Sequence, residues 1–272
     1  MLLKEIGKTK ARILGAFGLE PPRILEPEQN GEYAFLRWLS SLPEIAQCDS
    51  VIDVGANNGD WTDAARAALG RNGSRMFHCI EPIPWLAESI RKRFDAPPPV
   101  KVVEAALSET SGGEVTIYNS AGGGTMYRSY RGNSSADAST QKKYVEYQVK
   151  LKKGDELFPA ASNKPCLLKI DCDGHDYRVL AGFPQLLAQS RPVVQFEYCD
   201  FWIGSNTRLR DACKFLTGLG YRTHKMFPDR LVQFKYNPMF ETFGYQNIVA
   251  APSEFASFAS PTLKFSSGDR LA

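Results

Sequence analysis

Residues 51–61 read VIDVGANNGDW, and this stretch decides the fold. The apolar run from Val51 carries a single acid, Asp53, and ends at Gly55, which predicts a buried strand delivering both residues at its carboxyl end. Gly55 and Gly59 permit a sharp turn and a close approach of backbone to a ligand, and a helical pattern follows to Leu69. Strand, turn and helix in this order place the loop at the edge where open α/β sheets bind their ligands. A dinucleotide site needs G-x-G-x-x-G, whereas Asn57 stands at its second glycine and the spacing is G-x-x-x-G. A ligand lacking phosphate fits that loop better.

The alternation continues outward. Met76 to Ile80 is apolar and leads through Glu81 to a helical segment near Trp85 to Phe94, and Val100 to Leu107 supplies a third strand. Cys166 to Ile170, Val193 to Tyr198, Tyr221 to Phe227 and Tyr245 to Ala250 complete seven strand candidates. Helices are predicted from about His175 to Gln189 and from Arg208 to Leu219. The fold class is α/β, a doubly wound and mostly parallel seven-stranded sheet with helices on both faces. Between these elements the Gly-, Ser- and Ala-rich segment 119–143, flanked by β-like runs at Glu114 to Tyr118 and Tyr144 to Leu151, predicts an insertion that can serve as a lid. The expected organisation is a helical extension over 1–48, the main domain over 49–252 and a peripheral tail over 253–272.

Composition narrows the partners. Basic and acidic residues number 33 and 30, a net charge of +3, which gives no electrostatic reason to expect nucleic acid. The six cysteines show no paired CxxC spacing, which predicts packed thiols in a reducing cytoplasm and no zinc site. Residues 1–20 alternate lysine with single apolar residues, unlike a signal peptide. They predict a short basic helix with Leu3, Ile6, Ile13, Leu14 and Phe17 on one side, either packed on the domain or resting on an anionic membrane surface.

Three sites carry the chemistry. Glu81 ends its strand in HCIEP, one βα unit after the glycine loop, where a carboxylate can hold a ribose diol; together the two features point to a nucleoside cofactor. In LLKIDCDGHD, Asp171, Asp173, His175 and Asp176 crowd the end of an apolar strand. Asp173 can cap the next helix and Asp176 sits in its first turn, but Asp171 falls at the cofactor edge. His175, one of three histidines, is the expected base for an acceptor hydroxyl. Glu197, at the end of the next strand, points to the same edge and holds substrate, or shares a divalent ion with Asp171 and Asp173, an arrangement not favoured here. The expected catalytic set is His175, Asp171 and Glu197, with Trp202 placed to stack on an acceptor ring.

The ordered motifs VIDVGANNGDW, CIEP, VVEAALSE, LLKIDCDGHDYRVLAG and VVQFEY resemble those of the FkbM family of S-adenosylmethionine-dependent methyltransferases. The resemblance implies a class I methyltransferase (Rossmann-like) sheet and S-adenosyl-L-methionine as cofactor. It implies contacts at Asp53, Gly55, Ala56, Asn57 and Glu81, with Glu104 and Ala105 near the adenine; Gly59 and Asp171 join this set from the residue reading. It also implies O-methylation of a hydroxyl on a sugar or complex natural product. The usual fourth motif is close to K-I-D-V-E-G-H/A-E, so Cys172, Asp173 and Asp176 depart from it. Asn237-Pro238-Met239-Phe240, superficially like an amine methyltransferase motif, falls two strands too late and reads as a turn. Competing expectations are an NAD-dependent oxidoreductase on a similar sheet and a non-catalytic glycan- or membrane-associated module with a vestigial pocket.

Overall fold

The computed structural model describes residues 2–70, 73, 75–97, 99–120, 123–125, 145–160 and 164–265. Strand β1 (Ser50–Val54) is buried along its whole length and pairs in parallel with β2 (Met76–Ile80) on one side and β8 (Pro165–Ile170) on the other. β3 (Val100–Val103) extends the sheet beyond β2, and β9 (Val193–Tyr198) lies parallel beside β8. β12 (Gln246–Pro252) then runs antiparallel between β9 and β10 (Tyr221–Phe227). These seven strands are the seven expected from sequence, in the order β3-β2-β1-β8-β9-β12-β10.

Period-two alternation sends neighbouring residues of each strand to opposite faces. Val51, Leu167, Val193 and Val249 meet Phe35, Leu39, Ala65 and Leu69 on one face. Ile52, Leu168, Val194 and Ile248 meet Leu180, Leu187, Ala212 and Leu216 on the other. Burial on both faces is what a parallel sheet wrapped by helices demands of its strands, and it explains their near-continuous apolar character.

The structure departs from the sequence reading at four places. Among the described residues the sheet has nine strands, because β11 (Arg230–Phe234) folds back on β10 and β13 (Thr262–Lys264) pairs with β11. The tail read as peripheral therefore supplies a strand, and its Phe258 is fully buried against Trp38 and His224. The run Val100 to Leu107 breaks at Glu104–Ala105, after which β4 (Ala106–Ser108) joins a second small sheet with β5 (Glu114–Ser120), β6 (Gly123–Thr125) and β7 (Val145–Lys153). The expected helix 175–189 is two helices, Asp176–Ala181 and Pro184–Gln189, since Pro184 cannot donate within a continuing helix but suits a first turn. Most of segment 119–143, with the expected lid, lies outside the described residues.

The N-terminal helix Leu2–Ala16 packs on the domain, but of its expected apolar stripe only Leu14 is buried. Leu2, Leu3, Ile6, Ile13 and Phe17 are exposed, and Gly7 and Leu14 are the buried positions. A Cβ at Gly7 would collide with the Thr242 carbonyl, so glycine sets the close approach. Behind the helix, the buried Glu20 carboxylate pairs with Lys225 and accepts hydrogen bonds from Thr242 Oγ1 at 2.9 Å and Gln246 Nε2 at 2.8 Å. This network pins the segment across the carboxyl edge of the sheet. No described helix is long and apolar enough to cross a membrane.

Candidate functional site

Two cavities open side by side at that edge, of about 700 and about 1020 Å³. They share a wall of Pro27, Trp61, Lys169, Asp171 and Asp173.

The first cavity is built by the β1 loop and the ends of β2 and β4. Gly55 has φ of 79°, a left-handed conformation that favours glycine, and a Cβ there would strike the Asp171 carbonyl. Close contact between the two loops therefore depends on having no side chain at position 55. Asn57, also left-handed, donates its backbone N–H to Glu81 Oε2 at 2.8 Å, while the Ile83 N–H donates to Oε1 at 2.9 Å. Burial, only partly offset by these two amides, raises the Glu81 pKa to about 7. Each oxygen keeps a further lone pair, so a diol facing the cavity finds an oriented acceptor pair. Gly55, Ala56, Asn57, Glu81 and Ala105 all line this cavity, together with Asp171 and His175.

Three expected cofactor contacts lie elsewhere. Asp53 is turned inward, 1% exposed, where Thr62 Oγ1 donates to it at 2.6 Å; it braces the loop and does not line the cavity. Gly59 packs against the Phe94 ring. Glu104, leaving β3, faces solvent and lies 3.5 Å from Arg91.

Lys169 was passed over by the sequence reading. It is buried near the carboxyl end of β8, with Nζ 3.2 Å from Asp53 Oδ1, 3.3 Å from Asp171 Oδ2 and 5.4 Å from the Trp61 ring centroid. Burial opposes its charge, but Asp53, Asp171 and Glu32 outweigh that penalty and hold its pKa above the ordinary lysine value. The only signal for it in sequence was a lysine inside an apolar strand. The neighbouring Trp61 Nε1 is buried with no hydrogen-bond partner among the described residues, a donor on the wall common to both cavities.

The expected catalytic trio is not brought together. His175 lines the first cavity and not the second, Glu197 the second and not the first, and only Asp171 borders both. His175 Nε2 shares a 3.0 Å hydrogen bond with Ser108 Oγ, and burial lowers its pKa to about 4, which makes it neutral and weakly basic near neutrality. His175→Ala is expected to cost about 1 kcal/mol of stability, the worth of one neutral hydrogen bond, and to leave the pH dependence of turnover unchanged. Loss of an ionisation from the pH–rate profile would restore His175 as the base.

Glu197 closes β9 with its pKa raised well above the usual carboxylate value by burial first, then by Asp171 and Asp176. Asp176, expected only to favour the helix start, organises the loop before it by accepting from the N–H groups of Cys172 at 3.2 Å and Gly174 at 3.0 Å. Trp202, the expected stacking residue, is fully buried and donates Nε1 to the Glu197 carbonyl at 3.0 Å, so it positions Glu197 from behind. Asn237 Oδ1 accepts from Met239 N at 2.9 Å in a short 3-10 turn, as the sequence reading expected. Among the described residues no cluster of three or more His, Cys, Asp or Glu side chains is arranged to hold a metal ion.

Residues 53–223, more than half of the chain, match the model of the methyltransferase FkbM domain. The chain belongs to the FkbM methyltransferase family. No curated protein matches it. Among solved structures, it is similar to the methyltransferase FkbM of Methylobacillus flagellatus KT, at 13% identity and a TM-score of 0.44, over 90% of this chain and 58% of that one. The chain thus spans less than two thirds of that protein. It is similar to an O-methyltransferase from Bacillus cereus in complex with SAH, at 14% identity and a TM-score of 0.44, over 91% of this chain and 90% of that one. The O-methyltransferase TomG of Streptomyces achromogenes, involved in tomaymycin synthesis and in complex with SAM, is 13% identical with a TM-score of 0.45, over 92% and 90% of the two chains.

Proposed function

We propose that this chain transfers a methyl group from S-adenosyl-L-methionine to a hydroxyl, on a sugar of a glycan or of a glycosylated natural product. The observation that carries this reading is the pair of cavities meeting at one wall, the first with a buried carboxylate oriented for a ribose diol and the second bordered by a carboxylate of raised pKa. When bound, the cofactor supplies an electrophilic methyl group on a cationic sulfonium.

The chain's own residues supply the rest. Glu81 accepts the diol, and the apolar Ala105, Leu107 and Ile117 offer a dry surface beside it. Asp171 and Asp173 place negative charge along the shared wall, where it favours a cation, and Trp61 Nε1 offers a donor there. Glu197 lies on the acceptor side only, and its raised pKa makes it a stronger proton acceptor than an ordinary carboxylate. Holding both reactants across one wall contributes up to about 7–11 kcal/mol by orientation. The acceptor class rests on the family resemblance, and a cavity of about 1020 Å³ has room for a sugar and its neighbour.

The test is incubation of the whole chain with methyl-labelled S-adenosyl-L-methionine and a panel of oligosaccharides, polyols, amines and thiols. Label recovered as an O-methyl sugar supports the proposal. Label found solely on amines or thiols overturns it.

A further inference from the structure

The second cavity is polarised in a way the methyl-transfer reading does not use. Its floor is the carboxyl edge of the sheet, where Asp171, Asp173 and Glu197 stand. Apart from Lys169 in that floor, the cations that line it among the described residues come from the N-terminal segment: Lys4, Lys8, Arg12 and Arg23.

Lys4, Lys8 and Arg12 recur every four residues and so share one face of the helix. That face borders the cavity, while Leu2, Ile6, Ile13 and Phe17 project from the opposite side into solvent. The placement is fixed by buried structure, because Gly7 seats the helix on Thr242 and Glu20 ties the following turn to Lys225. Lys4 is spent on Asp200 at 2.6 Å and Lys8 on Glu5 at 2.7 Å. Neither Arg12 nor Arg23 has a carboxylate within ion-pair distance among the described residues, and both side chains stand at the mouth. Guanidinium groups present planar, paired donors matched to phosphate and carboxylate oxygens.

We infer that the acceptor is an anionic sugar, a phosphorylated or carboxylated one, whose charged group is held at the mouth by Arg12 and Arg23 while a hydroxyl reaches Glu197. This rests on the reading of the second cavity as the acceptor site. The separation of charge fixes the direction of entry: the acidic floor repels the anion and the basic rim retains it, so the uncharged end leads toward the shared wall. Arg12 and Arg23 are specificity-determining residues that touch the acceptor far from the transferred group.

The experiment is calorimetric titration of the whole chain, saturated with S-adenosyl-L-homocysteine, with glucose 6-phosphate, glucuronate and glucose. It is run in parallel on the double variant Arg12→Ala, Arg23→Ala, whose exposed positions leave the fold intact. At least one anionic sugar is expected to bind about tenfold or more tightly than glucose, as a charge-assisted hydrogen bond allows, with the preference shrinking as salt is raised. Preference for the phosphate over the carboxylate, or the reverse, identifies the anion. The double variant is expected to lose the preference and keep its affinity for S-adenosyl-L-homocysteine. Equal binding of all three sugars, no binding of either anionic sugar at millimolar concentration, or a preference that survives in the double variant overturns the inference. Failure of S-adenosyl-L-homocysteine to bind, with the arginine-dependent preference intact, overturns the methyl-transfer reading instead.

Discussion

Replacing Lys169 with methionine is expected to lower the unfolding free energy by about 3–5 kcal/mol, because removing one partner of a buried ion pair leaves the other charge uncompensated. The residue left behind is Asp53, 1% exposed, whose Oδ1 lies 3.2 Å from Lys169 Nζ and has no other donor among the described residues. Methionine fills the volume but supplies no charge. The same change frees Asp171, which Lys169 holds at 3.3 Å on the wall between the two cavities, so a loss of turnover is expected beyond what instability explains. Denaturant unfolding of the variant measures the first effect, and initial rates under conditions where it is fully folded measure the second. A stability change within about 0.5 kcal/mol, the range of an ordinary surface substitution, would show that Lys169 is not the hub the geometry describes.

Glu197→Gln is expected to reduce turnover by about 10²–10⁴-fold, the usual contribution of a positioned base. The amide is isosteric and keeps the packing over Trp202, but it cannot accept a proton. In the native chain the proposed base works when ionised, so turnover is expected to rise with pH through an ionisation shifted well above the ordinary carboxylate range by burial, Asp171 and Asp176. In the variant that limb of the profile disappears. Because Glu197 borders only the second cavity, affinity for S-adenosyl-L-homocysteine is expected to stay within a few-fold of the native value. A variant with native turnover would remove Glu197 from the chemistry.

The seven strands of the main sheet were legible because parallel strands buried on both faces read as apolar runs between turn signals, as at Val51–Val54 and Val193–Tyr198. β11 and β13 were not, since RLVQF and TLK are short edge strands with mixed exposure. The glycine loop and Glu81 were legible as a pair because one βα unit sets their spacing. Lys169 was not, because its partner Asp53 comes from the neighbouring strand β1, far away in sequence, and nothing local marks a lysine as buried. His175 follows the end of β8 and Glu197 lies near the end of β9, which suggests convergence; the turn at Gly174, φ 97°, carries the imidazole toward Ser108 instead. The part played by residues 2–25 in walling the second cavity was hidden as well, since it depends on Gly7 and Glu20, single positions with no periodic signature.

Cofactor binding is tested most directly by calorimetric titration of the whole chain with S-adenosyl-L-methionine and S-adenosyl-L-homocysteine, with NAD as the control, in native protein and in Glu81→Ala. Micromolar binding of the first two is predicted, strengthening as pH rises through about 7 and Glu81 ionises to accept the diol. Glu81→Ala should weaken it by about tenfold or more, the loss of a charged hydrogen-bond acceptor. Binding of NAD in their place, or binding of S-adenosyl-L-homocysteine that is indifferent to Glu81→Ala, would show that the first cavity is not an S-adenosyl-L-methionine site held by Glu81.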